Sequence, residues 1–526
     1  MRALAAAPMC AVSACGCRNE YPKPQIQQSA LRRGNPAPIL MPARLSGQQQ
    51  LTRAAGSVVD AHAHFFNASD VPIRGFIEES IGHNSPDWLQ PLIKEMAKLA
   101  EDLADRAPTA AEELTSLDAL SEMTRTLGRG EIQTGVEQWF QRERAAAAQR
   151  VVDVVGGTGF ERSYRAMVPQ LRRGSDRLTP EEVLGVVAEA QDPRALSVGD
   201  SRSKAAKAKL EFLFYMLSMR AANVRTYIEA FSPDDGSFGV DMVLGALVDF
   251  DYWLDCPPRS AHDDQVALHQ HLATMHGGYM RPVVAYNPWT DIEQNGAALK
   301  RVRDAWASGM FVGVKIYPPT GFLPAANATT AVDTKKRRPD LQRLDDALGA
   351  FFTLCAQERI PVIAHAAHSN GRDAAHDEFS GPTSWERLLR RVVADTKTPI
   401  ISLGHFGGDN PGTNWTRQFA DLMKGYPTVR LFGDLGYWDH LMCENPNDCT
   451  SARNRLKDVL RTPVGEAEAV GDRVMFATDW LMLSQVSNWR TYPQHVREGL
   501  EAIAGSQDVA KILGGNARTF FARIAT

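Results

Sequence analysis

The chain has 526 residues, 44% of them hydrophobic and 23% charged, with a net charge of −4. That is the balance of a globular protein with room for a large core. The near-neutral charge and the lack of a long basic run argue against nucleic acid as the main partner, and no apolar stretch in the body could span a bilayer.

The chain begins "MRALAAAPMCAVSACGC". The "VSAC" ending at Cys15 resembles a bacterial lipoprotein processing box, but Pro8 and a single positive charge make a poor signal peptide. The segment reads as a disordered leader, or a start placed too far upstream, in a cytoplasmic protein. Export as a lipoprotein is the alternative. Residues 18–56 are rich in Pro, Gln, Arg and Ser and read as a linker. Residues 1–56 are therefore set apart from a folded body at 57–526.

The body opens with "SVVDAHAHF" at 57–65, a β-branched apolar entry followed by two histidines. Period-two alternation puts His62 and His64 on one face of a strand, and Ala61 and Ala63 on the other. Two neutral imidazoles at a strand end suit a metal ion. They also suit a plain hydrogen-bonded pair. Helical patterns then dominate 76–235, including "WLQPLIKEMAKLAEDLADRA", "TAAEELTSLDALSEMTRTL" and "SKAAKAKLEFLFYMLSMRAANV".

Seven further strands are predicted at 241–250, 281–289, 311–319, 360–368, 399–407, 428–436 and 473–481. Most are nearly continuous apolar runs, as in parallel strands buried on both faces. Helical patterns separate many of them, and in "SAHDDQVALHQHLATMH" Ser260 and Asp263 stand at capping-box positions. Eight strands alternating with helices predict a (β/α)8 TIM barrel. The 76–235 segment becomes a large helical insertion after strand 1, placed as a lid or pocket wall, or as an oligomerisation surface for a homo-oligomer.

The seven cysteines show no C-x-x-C spacing. Free thiols are expected, with Cys443 and Cys449 able to pair in an exported protein.

Several strands end in polar residues: His62 and His64, Lys315, His365, His405 and Asp479. Each could be a satisfied core residue or a cap. Their common position at the C-terminal ends of successive strands, which converge on one barrel mouth, favours a metal site.

"VDAHAHFF", "VGVKIYPPTGF", "IPVIAHAAH", "LGHFGG", "MFATDW" and "GGNARTFF" resemble the amidohydrolase superfamily, and within it the amidohydrolase-related branch of aromatic-acid decarboxylases and lactone hydrolases. The resemblance spans about 57–80 and 240–526. It implies a divalent metal, most often zinc, on His62, His64, His365 and Asp479. It implies that His405 is a catalytic acid/base or a ligand to a second ion, and that Lys315 is a bystander or a carbamylated bridge between two ions. One ion is favoured over two. Asp479 would accept a proton from the attacking water.

Such a set hydrolyses an ester, lactone or amide, and hydrolysis is the reading adopted. Decarboxylation of an aromatic or enoic acid is the alternative, and a non-catalytic metal-bound scaffold is the third. The partner is a small molecule. Arg74 in "IRGF" and Arg259 in "CPPRS" follow the first two strands and could clamp a substrate carboxylate. Tyr317 and His368 are further candidates for substrate contact.

Overall fold

Eight short parallel strands, each buried along nearly its whole length, order the molecule in this computed structural model. They are β1 (Val59–Ala63), β2 (Met242–Ala246), β3 (Met280–Ala285), β4 (Val314–Ile316), β5 (Pro361–His365), β6 (Ile400–Gly404), β7 (Leu431–Asp434) and β8 (Val474–Met475), paired in sequence order. The structure describes residues 40, 58–77, 87–168, 177–189, 201–232, 238–252, 257–330, 341–369, 374–393, 398–410, 412–443 and 445–524. The VSAC segment and all of 1–56 except Leu40 lie outside them.

All eight predicted strands are present. Hydrogen bonds from Ala61 N–H to the Phe476 carbonyl (3.0 Å) and from Asp479 N–H to the His62 carbonyl (2.8 Å) bring the last segment back to β1 and close the ring. Helices follow β2 through β8, among them His262–Met275, Ala297–Ala307, Leu341–Glu358, Pro382–Val392, Trp415–Gly425, Pro446–Leu460 and Tyr492–Glu501. The fold is a (β/α)8 barrel. Its N-terminal end is stopped by the last helix: Phe520 and Phe521 pack with Val59, Ala61, Leu244, Val283, Ile363, Phe432 and Met475. No helix among the described residues is long and apolar enough to cross a membrane.

Strict alternation fails in β1. Its register slips between Asp60, opposite Val243, and Ala63, opposite Gly245, so β1 carries one residue more than β2. Such a bulge re-aims the side chains that follow it. Ala61 consequently packs at the barrel floor and Ala63 in the main core, not together on one face. The Asp60 carboxylate pins the bulge: it accepts from the backbone N–H of His62 (3.1 Å) and Thr478 (3.1 Å) and from the hydroxyls of Thr478 (2.5 Å) and Tyr227 (2.6 Å).

The large insertion after β1 is helical as predicted. Its described helices are Gln90–Lys98, Ala100–Arg106, Ala110–Arg125, Arg129–Val155, Gly159–Met167, Pro180–Glu189, Ser201–Met216 and Arg220–Phe231. Arg220 fastens it to the barrel. Its buried guanidinium bonds Asp70 in the loop after β1 (2.8 Å), Glu113 in the insertion (3.2 Å) and the hydroxyls of Ser69 (2.8 Å) and Ser260 (3.0 Å).

Two expectations need correction. The helix expected to be capped by Ser260 starts at His262, and its N-cap is Ala261 with no side-chain cap. Ser260 is committed elsewhere, to Ser69, Arg220 and the Ala110 N–H, and Asp263 pairs with Arg301 (2.6 Å). A true capping box forms instead between Thr109 and Glu112. Cys443 and Cys449 are joined in a disulfide, not free, because the turn into Pro446–Leu460 brings their Cα atoms within 4.7 Å. Cys355 is a buried free thiol.

Candidate metal centre

The polar strand ends meet at the C-terminal mouth. His62 lies on β1 and His64 directly follows it, Lys315 comes from β4 and His365 from β5, His405 directly follows β6, and Asp479 lies four residues past Met475 at the end of β8; all six are buried. His405, Phe406 and Asp479 adopt left-handed backbone, with φ of 62°, 44° and 55°. Non-glycine residues there cost roughly 1–3 kcal/mol each and persist only where their surroundings fix them. Here hydrogen bonds do so. The His405 N–H donates to Asp434 Oδ1 (2.9 Å), the Trp438 indole N–H donates to the His405 carbonyl (2.8 Å), and the Asp479 N–H is held by β1.

Three donor atoms converge. His62 Nε2 lies 3.1 Å from His64 Nε2, and Asp479 Oδ1 lies 3.3 Å from His64 Nε2 and 3.9 Å from His62 Nε2. His64 Nδ1 is 2.7 Å from the Ala246 carbonyl, which can only accept, so Nδ1 carries the proton and Nε2 presents a lone pair. Lys315 Nζ reaches to 2.6 Å of His62 Nε2. Two nitrogens each about 2.0–2.1 Å from a tetrahedral ion stand about 3.3 Å apart. The spacing and chemistry of this set therefore fit a divalent cation.

His365 sits one step aside. Its Nδ1 is 3.1 Å from His405 Nε2, its Nε2 is 3.2 Å from the Ser369 carbonyl, and its ring packs on Tyr317 with centroids 4.8 Å apart. The remaining candidates are more dispersed. Arg259 is exposed and donates to the carbonyls of Ala104 and Ala107 in the insertion. Arg74 is exposed on the turn Ile73–Gly75. His368 faces Glu378 (3.5 Å) and Asp377 (3.9 Å).

Burial, aided by Lys315 and neighbouring imidazoles, pushes His62, His64 and His365 well below the usual histidine range; burial, opposed by Asp434, pushes His405 down to about 4. Neutral imidazole is the ligating form. Burial pushes Lys315 down to about 8, against the pull of Asp479 and Asp434, and pushes Asp479 up. Small residues make room for the rings: a Cβ on Gly404 would come within 2.8 Å of the Ala364 carbonyl and 3.2 Å of His62.

One residue at the centre escaped the sequence reading. Asp434 ends β7, is fully buried, and places its carboxylate 3.3 Å from His62 Nδ1. "LFGDLG" reads as a strand running into a turn, and the only hint was the rule already applied to other strands, a polar residue at the C-terminal end.

The chain matches the amidohydrolase family over residues 241–523, more than half of its length. It belongs to that family, in the amidohydrolase-related branch. The matched segment holds β2 to β8, and β1 with His62, and His64 just after it, precede that segment. No curated protein matches the chain.

Among solved structures it is similar to an amidohydrolase from Burkholderia multivorans with bound zinc (11% identity, TM-score 0.36, 54% of this chain and 84% of that one). It is also similar to 2,6-dihydroxybenzoate decarboxylase complexed with 2,6-dihydroxybenzoate (16%, 0.35, 64% and 95%). A third is 5-carboxyvanillate decarboxylase from Novosphingobium aromaticivorans with manganese (14%, 0.36, 65% and 92%). At such identities the reaction does not transfer.

Proposed function

We propose that the chain is a metal-dependent hydrolase that cleaves an ester, lactone or amide in a small, carboxylated substrate. The observation that carries this is the convergence of His62 Nε2, His64 Nε2 and Asp479 Oδ1 in a buried mouth. These three residues, with His365 from the end of β5, hold one divalent ion, zinc in the simplest case. A bound ion of this kind lowers the pKa of water toward about 7 and polarises a carbonyl. Asp479 accepts a proton at its carboxylate, and His405, 3.1 Å from His365, moves a proton to the leaving group. Tyr317 and His368 contact substrate. Arg74 and Arg259 bind its carboxylate, Arg259 after release from the Ala104 and Ala107 carbonyls.

Part of the insertion walls the pocket. The ring of Tyr215 packs against Trp480, next to Asp479, with centroids 5.6 Å apart, and Lys209 bonds Gln485 (2.9 Å) in the same loop. A drier mouth strengthens the electrostatics of the site.

Elemental analysis of protein purified without added metal should find about one divalent ion per chain, as a single four-ligand set requires. A panel of esters, lactones and amides should then show acid release that a chelator abolishes and metal restores. Carbon dioxide release from aromatic or enoic acids would assign a carboxy-lyase instead. A metal-loaded protein inert to both panels would leave only the scaffold reading.

A further inference from the structure

Asp434 serves two imidazoles at once. Its Oδ1 accepts from the N–H of His405 (2.9 Å) and of Gly436 (3.1 Å). The Gly436 carbonyl in turn lies 3.0 Å from His405 Nδ1, so carboxylate, glycine and imidazole form one chain of contacts. On its other side the carboxylate faces His62 Nδ1, at 3.3 Å from Oδ2 and 3.4 Å from Oδ1. Asp434 Oδ2 is shielded from solvent and has no hydrogen-bond partner among the described residues. A buried carboxylate oxygen without a donor is costly, and His62 Nδ1 is the donor within reach. The packing is close: a Cβ on Gly436 would come within 3.1 Å of Asp434 Oδ1 and 3.5 Å of His405 Nδ1.

We infer that Asp434 is a positioning residue: it fixes His62 with its proton on Nδ1, leaving Nε2 as the ligating atom, and it anchors His405 through the backbone at its N–H and at Gly436. This rests on the reading of His62 as a metal ligand. A carboxylate behind a ligating histidine sets the tautomer and ring orientation, and losing it typically weakens metal binding by about 10–100-fold. A single substitution should thus disturb both metal affinity and proton transfer.

The test uses Asp434→Asn and Asp434→Glu, with Zn²⁺ affinity measured by chelator competition and the visible spectrum of the Co²⁺-loaded protein recorded. Asp434→Asn should bind Zn²⁺ about 10–100-fold more weakly, at unchanged stoichiometry and with an altered Co²⁺ spectrum, and Asp434→Glu should recover part of the affinity. Wild-type affinity and spectrum in Asp434→Asn would overturn the inference. So would the loss of one whole ion from a two-ion wild type, since Asp434 would then be a ligand itself. If the variants do not fold, ¹⁵N-histidine spectra of the metal-free wild type decide: His62, identified by its absence in His62→Asn, should carry its proton on Nδ1, and a proton on Nε2 would overturn the inference. Wild-type protein that takes up neither ion would fail earlier, at the metal reading on which the inference stands.

Discussion

His405 is held at every polar atom. Its N–H is taken by Asp434, its carbonyl by Trp438, its Nδ1 by Gly436, and its Nε2 faces His365. A proton-transfer role requires this kind of fixed ring, and His405→Asn should lower turnover by about 10²–10⁴ while the ion stays bound. Kinetics with parallel metal analysis checks this, and an emptied site would make His405 a ligand. At this scale the sequence was partly readable. His62, His64, Lys315, His365, His405 and Asp479 stood out because ionisable groups at the ends of apolar strands need a reason to be buried. Asp434 did not, because an Asp before Leu-Gly is ordinary turn chemistry. Its importance comes from reaching across the barrel to β1, a relation that spacing within one strand does not encode. Arg259 remains a proposed substrate clamp, and its bonds to insertion carbonyls are contacts that no local pattern reveals.

The strands were legible because burial on both faces writes continuous apolar runs into the sequence. The β1 bulge was not, since an inserted residue leaves the composition unchanged. The insertion's helices were visible, and its fastening was not: Arg220, Asp70 and Glu113 are distant in sequence and meet only in the fold. Removing one partner of such a buried group strands the others, at about 3–5 kcal/mol. Arg220→Met should therefore lower stability by that amount in denaturant melts, and a change below 1 kcal/mol would show the insertion to be anchored elsewhere.

The helix His262–Met275 and the residue that caps it raise a second expectation. Nε2 of His262, His269, His271 and His276 is buried with no partner among the described residues. Burial, opposed by backbone hydrogen bonds at Nδ1, pushes His269 and His276 down to about 4. In the unfolded chain they titrate near 6.5. Between those values the unfolded state binds more protons, so stability is complete above about pH 6.5 and falls as pH drops toward 4, by up to about 1.4 kcal/mol per pH unit for each histidine. Urea melts at pH 7 and pH 5 should show that loss, and it should shrink in a His269→Gln/His276→Gln double variant. An equal loss in both proteins would place the acid sensitivity in other groups.

For the molecule as a whole, three of the four proposed ligands sit where the ring closes. β1 and the β8 segment meet through three backbone bonds, from Ala61 to Phe476, His64 to Trp480 and Asp479 to His62, and through the Asp60–Thr478 contacts, and His62, His64 and Asp479 straddle that junction. An ion there binds only the closed barrel and should stabilise it by mass action, by about 2.7 kcal/mol at a hundredfold excess over Kd. Chelation should lower the melting temperature, and re-addition should restore it. A melting temperature indifferent to verified metal removal would mean that the ion does not bridge the closure.

The same arrangement bears on how the protein is made. The first two ligands leave the ribosome hundreds of residues before Asp479. Seven strands can be synthesised and begin to pair while no complete site exists. An ion held early could be kept only by His62, His64 and His365, without the Asp479 carboxylate, more weakly and in competition with other thiols or imidazoles. Capture of the proposed ion would thus wait for the β8 segment, and a prematurely terminated chain lacking that segment would hold it without Asp479. Metal content would then count finished barrels and not merely the polypeptide present.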